Sequence, residues 1–140
     1  MKYLLDTCVI SELAKPKPNE KAVRWLLDQN ETDLYISVLT LGELHRGIEK
    51  LHASKKKNDL HAWVENELKG RFLNRILDVN SNIAKTWGKI QTLAERKGKP
   101  MPAIDSLIAA TGIALGLTVV TRNAADMEHS GVDIFNPWEE

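Results

Sequence analysis

Tyr3-Leu4-Leu5-Asp6-Thr7-Cys8-Val9-Ile10-Ser11-Glu12-Leu13 sets an apolar run, an acid and a helical stripe in direct succession. Residues 2–6 read as a short buried strand closed by Asp6, and residues 8–14 as a helix whose face is Val9, Ile10 and Leu13. Lys15-Pro16-Lys17-Pro18 stops that helix, because proline has no amide hydrogen and its ring clashes with the preceding turn. An acid at the tip of a strand stands where open α/β sheets bind ligands, outside the carboxyl ends of the strands.

The same order recurs along the chain. Asn19 caps a second helix with Val23, Leu26 and Leu27 on one face. Leu34-Tyr35-Ile36-Ser37 is a second strand, followed by a helix from Thr40 to about Leu51 that carries Glu43. Thr118-Val119-Val120-Thr121 is another strand, with Asp126 shortly after it, and Asp133-Ile134-Phe135 is a weaker last one. The segment at about 54–98 has the pattern of a helical hairpin: Leu60, Trp63, Val64 and Leu68 recur at helix spacing, as do Ile83, Trp87, Ile90 and Ala94. A short strand, Arg75 to Val79, lies between the two stripes. From about 103 to 115, apolar residues cover nearly the whole helical circumference, which predicts a helix buried in the middle of the fold with Asp105 in its first turn. Strands alternating with helices predict an α/β protein, a parallel sheet with helices on both faces, formed as a single domain over 1–140.

Each acid has an ordinary explanation beside the functional one. Asp6 can cap the helix that follows it. Thr40-Leu41-Gly42-Glu43 matches a capping box, in which the glutamate bonds back to the cap residue. Asn123 can cap a short last helix with Asp126 at its third position. Asp105 resists such a reading: the helix dipole favours a first-turn acid by roughly 0.3–1 kcal/mol, whereas an unpaired buried carboxylate costs several. Four carboxylates gathered at one sheet edge repel each other unless a cation sits among them, and oxygen-only ligation selects Mg²⁺ or Mn²⁺. Such an ion lowers the pKa of a coordinated water and clamps a phosphate, the requirements of phosphodiester hydrolysis.

Composition narrows the classes. Nineteen basic and nineteen acidic residues cancel, so if four acids share one cleft the remaining surface is net basic by about four charges, which suits a phosphate backbone. Cys8 is the only cysteine, which rules out an intrachain disulfide; it is expected to be packed rather than reactive. No basic region followed by an extended apolar one opens the chain, and no stretch approaches the roughly 20 apolar residues of a membrane helix, so a cytoplasmic protein without a membrane partner is expected. His45, His52, His61 and His129 form no local zinc motif and read as surface residues. No glycine-rich phosphate loop is present.

Four segments together resemble the PIN-domain ribonucleases, in particular VapC-type toxins of the FitB-like branch. They are Leu4–Leu13, Ser37–Leu44, Met101–Ala109 and Val120–Met127, with Ile134-Phe135-Asn136-Pro137-Trp138 as a familiar ending. Met127 departs from the phenylalanine usual there. The resemblance implies a three-layer fold with a central parallel sheet ordered 3-2-1-4-5. It implies a Mg²⁺- or Mn²⁺-dependent endoribonuclease acting on RNA, and a homodimer restrained by a cognate antitoxin that alone contacts operator DNA. Carried onto this chain, it makes Asp6 and Asp105 the principal metal ligands, completed by Glu43 and Asp126 partly through water. Thr7, Thr121 and Asn123 stand behind them as orienting residues, and Arg46 and Arg122 as phosphate holders. Two alternatives remain: a PIN module that binds RNA or protein without cleaving, and a structure-specific DNA nuclease.

Overall fold

The computed structural model describes residues 1–139. Five short strands form one all-parallel sheet: β1 (Tyr3–Leu5), β2 (Leu34–Ser37), β3 (Ile76–Leu77), β4 (Thr118–Val120) and β5 (Ile134–Phe135), in the order β3-β2-β1-β4-β5. This is the expected 3-2-1-4-5 arrangement. β1 lies at the centre, with Leu4 beside Tyr35 on one flank and Val119 on the other. Side chains alternate across a strand, so neighbours in register share a face. Leu4 and Val119 therefore enter one apolar cluster, and Leu5 and Val120 the opposite one.

Helices cover both faces. α1 (Thr7–Leu13), α2 (Glu20–Asp28) and α3 (Val38–Glu49) pack on the face of Leu5, Leu34 and Ile36 through Val9, Ile10, Leu26 and Ile48. α6 (Ser81–Arg96) and α7 (Ala103–Leu115) pack on the face of Leu4 through Ile83, Ile90, Ala94, Ile108, Ala109 and Ala110. Asn19 accepts the Ala22 N–H and Asn80 the Ile83 N–H, so each capped helix starts where a short polar side chain satisfies a free amide.

The segment at about 54–98 contributes to both layers. α4 (Lys55–Ala62) runs through a π-helical stretch (Trp63–Leu68) into the short α5 (Lys69–Arg71) and sends Val64, Leu68 and Phe72 into the core beside Ile36. β3 then adds the edge strand before α6. The Arg75 guanidinium pins this edge by donating to the carbonyl of Leu34 at 2.6 Å and to those of Glu31 and Arg71.

α7 differs from expectation at its end. Ser106 and Ile108–Gly112 are buried, but Ile113 is 38% and Leu115 45% exposed. Only the first two-thirds of the helix crosses the core; the rest runs outward to Gly116, whose φ of 67° ends it. Where α7 meets β4 the fit is close: a Cβ at Gly112 would stand 3.0 Å from Val119 Cγ2, 2.8 Å from Val132 Cγ2 and 3.2 Å from the Leu117 carbonyl. No helix among the described residues is long and apolar enough to cross a membrane.

Candidate metal centre

Each acid reaches the carboxyl edge of the sheet by a different local route. β1 passes into α1 with Asp6 as the only residue between them, so the side chain sits at the sheet edge and is 2% exposed. It does cap α1, since Oδ1 accepts the Thr7 N–H at 2.8 Å; the cap and the site coincide. Oδ2 accepts the Thr121 hydroxyl, also at 2.8 Å. Burial raises the Asp6 pKa, the Thr121, Thr7 and Cys8 hydrogen bonds oppose it, and the Asp126 charge adds to the rise.

Glu43 is not a capping-box residue. α3 starts directly where β2 ends, with Ser37 as its cap accepting the Leu39 N–H at 3.0 Å. Thr40 is thus already helical, and Glu43 lies in the second turn, free to face α1. Its Oε1 is 2.5 Å from Thr7 Oγ1, which also lies 3.2 Å from Thr40 Oγ1. A hydroxyl has one proton, so Thr7 gives it to the carboxylate and accepts from Thr40.

Asp105 stands in the first turn of α7, half-buried. Its pKa is raised to about 6, first by burial and then by the charges of Asp6, Asp126 and Glu43. Asp6, Glu43 and Asp105 line one cavity of about 360 Å³ together with Thr7, Cys8, Ser11, Lys15, Arg122 and Asn123. Asp126 ends an exposed 3-10 turn (Ala124–Asp126) beyond that lining, near enough to act on Asp6 and Asp105 through its charge. The Asn123 side chain does not cap this turn; its backbone amide donates instead to Thr121 Oγ1 at 2.9 Å. Arg46, on the exposed side of α3, does not line the cavity.

Among the described residues, no lysine or arginine forms an ion pair with any of the four acids. Lys15 is engaged by Glu12 at 3.0 Å, and the Arg122 guanidinium lies 5.2 Å from the centre of the Trp138 ring. Both cations stand on the cavity wall without neutralising the carboxylates. Among the described residues no three of these carboxylates bring their oxygens within 4.8 Å of one another, so a cation would have to draw them inward. The donor set is oxygen only, with mutual repulsion left uncompensated, and its chemistry suits a hard divalent cation.

Cys8 is packed against the core, as expected, and also lies beside the site, with Sγ 3.8 Å from Asp6 Oδ2 and 3.4 Å from the Arg122 amide. Burial and the Asp6 charge push its thiol pKa up, which keeps it protonated and a poor nucleophile. Glu12 is 4% exposed; despite burial, the Asn19 amide and Lys15 hold its carboxyl below the usual range. It anchors Lys15 through an i,i+3 pair and caps the turn that follows by accepting the Asn19 amide at 2.9 Å.

A parallel 3-2-1-4-5 sheet whose central strand delivers an acid to a carboxylate-lined edge is the arrangement of a PIN domain, and the PIN domain family model matches residues 3–129. The chain belongs to the PIN-domain family, in its VapC-type branch. It is 40% identical to Toxin FitB of Neisseria gonorrhoeae over 98% of this chain and 99% of that protein. It is 34% identical to VapC ribonuclease Y4jK of Sinorhizobium fredii over 97% of both. A crystal structure of FitAcB from Neisseria gonorrhoeae superposes with a TM-score of 0.93 at 40% identity, covering 99% of each chain.

Proposed function

We propose that the protein is a Mg²⁺- or Mn²⁺-dependent endoribonuclease, the toxin of a toxin–antitoxin pair. The observation that carries this reading is that Asp6, Glu43 and Asp105, from three separate elements, line one cavity at the carboxyl edge of the sheet with no lysine or arginine paired to them. The names Toxin FitB and VapC ribonuclease Y4jK support it.

Asp6, Asp105 and Glu43 would hold the cation, with Asp126 reaching it from the rim through water. When bound, the ion supplies Lewis acidity for water activation and for neutralising the phosphate. The side chains of this chain do the positioning. Thr121 and the Thr7 amide fix both oxygens of Asp6, so the carboxylate presents one orientation. Thr7 does the same for Glu43 through its hydroxyl. Arg122, Lys15 and Asn123 on the cavity wall offer donors to the phosphates that flank the scissile bond. Arg46, one helical turn past Glu43, would meet the strand further out. A cognate antitoxin, a homodimeric assembly and a cytoplasmic setting complete the reading, with operator DNA contacted only through the antitoxin.

Matched RNA and DNA oligonucleotides incubated with Mg²⁺ test it. The expected result is RNA cleavage that stops with EDTA and in Asp6→Asn and Asp105→Asn. RNA binding without cleavage points instead to a binding module, and preferential cutting of structured DNA to a DNA nuclease.

A further inference from the structure

Away from the carboxylate cavity, one group of three potential ligands converges among the described residues. His45 on α3, His61 near the end of α4 and Glu65 in the π-helical stretch each offer an atom, and these atoms all lie within 4.8 Å of one another. His45 Nε2 is 2.9 Å from Glu65 Oε1, and the two imidazole rings sit edge to face with centres 5.5 Å apart. Spacing alone hides the group, because His45 comes from a different helix; only His61 and Glu65 share the i,i+4 relation.

We propose that His45, His61 and Glu65 form a second metal site, selective for a zinc-class transition ion and separate from the carboxylate cavity. Two imidazole nitrogens and one carboxylate oxygen are the donor set of open zinc sites, with remaining positions left to water. Ligands about 2.0–2.1 Å from a tetrahedral zinc ion stand roughly 3.3 Å apart, a spacing that small rotamer adjustments reach from here. Imidazole donors also discriminate against Mg²⁺, so the two sites sort ions by chemistry. The backbone adds an independent observation. The helix widens from α to π between His61 and Glu65, and such widenings are rare and concentrate at functional sites. Bound here, the ion would tie α3 to the α4–π unit. Those elements form one wall of a groove lined by Leu44, Ile48, Leu60, Trp63 and Val64, which reaches Glu43.

Calorimetric titration of the full chain with Zn²⁺ in excess Mg²⁺ provides the test, with Asp105→Asn separating the two sites. One Zn²⁺ per chain is expected for the wild type and for Asp105→Asn alike. His61→Ala and His45→Ala should weaken that binding by about tenfold or more, with unchanged circular dichroism. Equal Zn²⁺ affinity in the histidine variants, or no binding by the wild type, overturns the proposal. His61 is exposed, so its removal leaves the fold intact and the comparison readable.

Discussion

Thr121 donates its hydroxyl to Asp6 Oδ2 at 2.8 Å, joining the ends of β4 and β1 across 115 residues of sequence. Thr121 is fully buried, and its oxygen also accepts the Asn123 amide. One side chain therefore fixes the carboxylate and begins the loop that carries Asp126.

Thr121→Val keeps the shape and removes both hydrogen bonds. The account predicts a loss of about 1–3 kcal/mol in stability, because a buried carboxylate oxygen and an amide lose partners. Divalent-cation affinity should fall by about 10–100-fold, as for other supporting hydrogen bonds to ligands. Denaturant unfolding and Mn²⁺ titration measure the two effects separately.

Asp105→Asn should move stability and activity in opposite directions. Without cations, removing one of four mutually repelling carboxylates raises the melting temperature by a few degrees. RNA cleavage is lost. Thermal unfolding in EDTA beside an oligonucleotide assay reads both, and a lower melting temperature in EDTA would contradict the repulsion.

The pH dependence follows from the same carboxyl. Its folded pKa of about 6 lies above the value of about 3.9 expected in the unfolded chain, so the folded state binds the extra proton between them. The cation-free protein therefore loses stability from this group as pH rises from about 4 to about 6, and no more above that. Cation binding requires the charged form, so affinity should drop about tenfold per pH unit below about 6. Calorimetry at several pH values checks the slope.

Gly112→Ala should destabilise by about 1–3 kcal/mol, because the new methyl meets Val132 and the Leu117 carbonyl where α7 turns onto β4. Gly88→Ala, in the interior of α6 with open space around it, should stabilise by up to about 1 kcal/mol. Chemical denaturation of the pair isolates packing from backbone entropy.

The strands and the sheet-edge acids were legible because apolar runs ending in Asp6 or Ser37 have few other uses. Local rules failed where two signals competed. Thr40 and Ser37 both suit a helix cap, and the direct passage from β2 into α3 decides for Ser37, which frees Glu43. Around Asp126 the turn closes as a 3-10 helix without the Asn123 side chain. Continuous apolar pattern along α7 could not tell a helix buried throughout from one whose end emerges at Ile113 and Leu115. Cys8 and the His45–His61–Glu65 group owe their settings to contacts between elements, which no single-segment pattern encodes.

The most direct measurement is anomalous diffraction from crystals of the protein grown with Mn²⁺. A peak bounded by Asp6, Glu43 and Asp105, with Asp126 at its edge, is predicted. A map with no manganese among those carboxylates at saturating concentration would contradict the account.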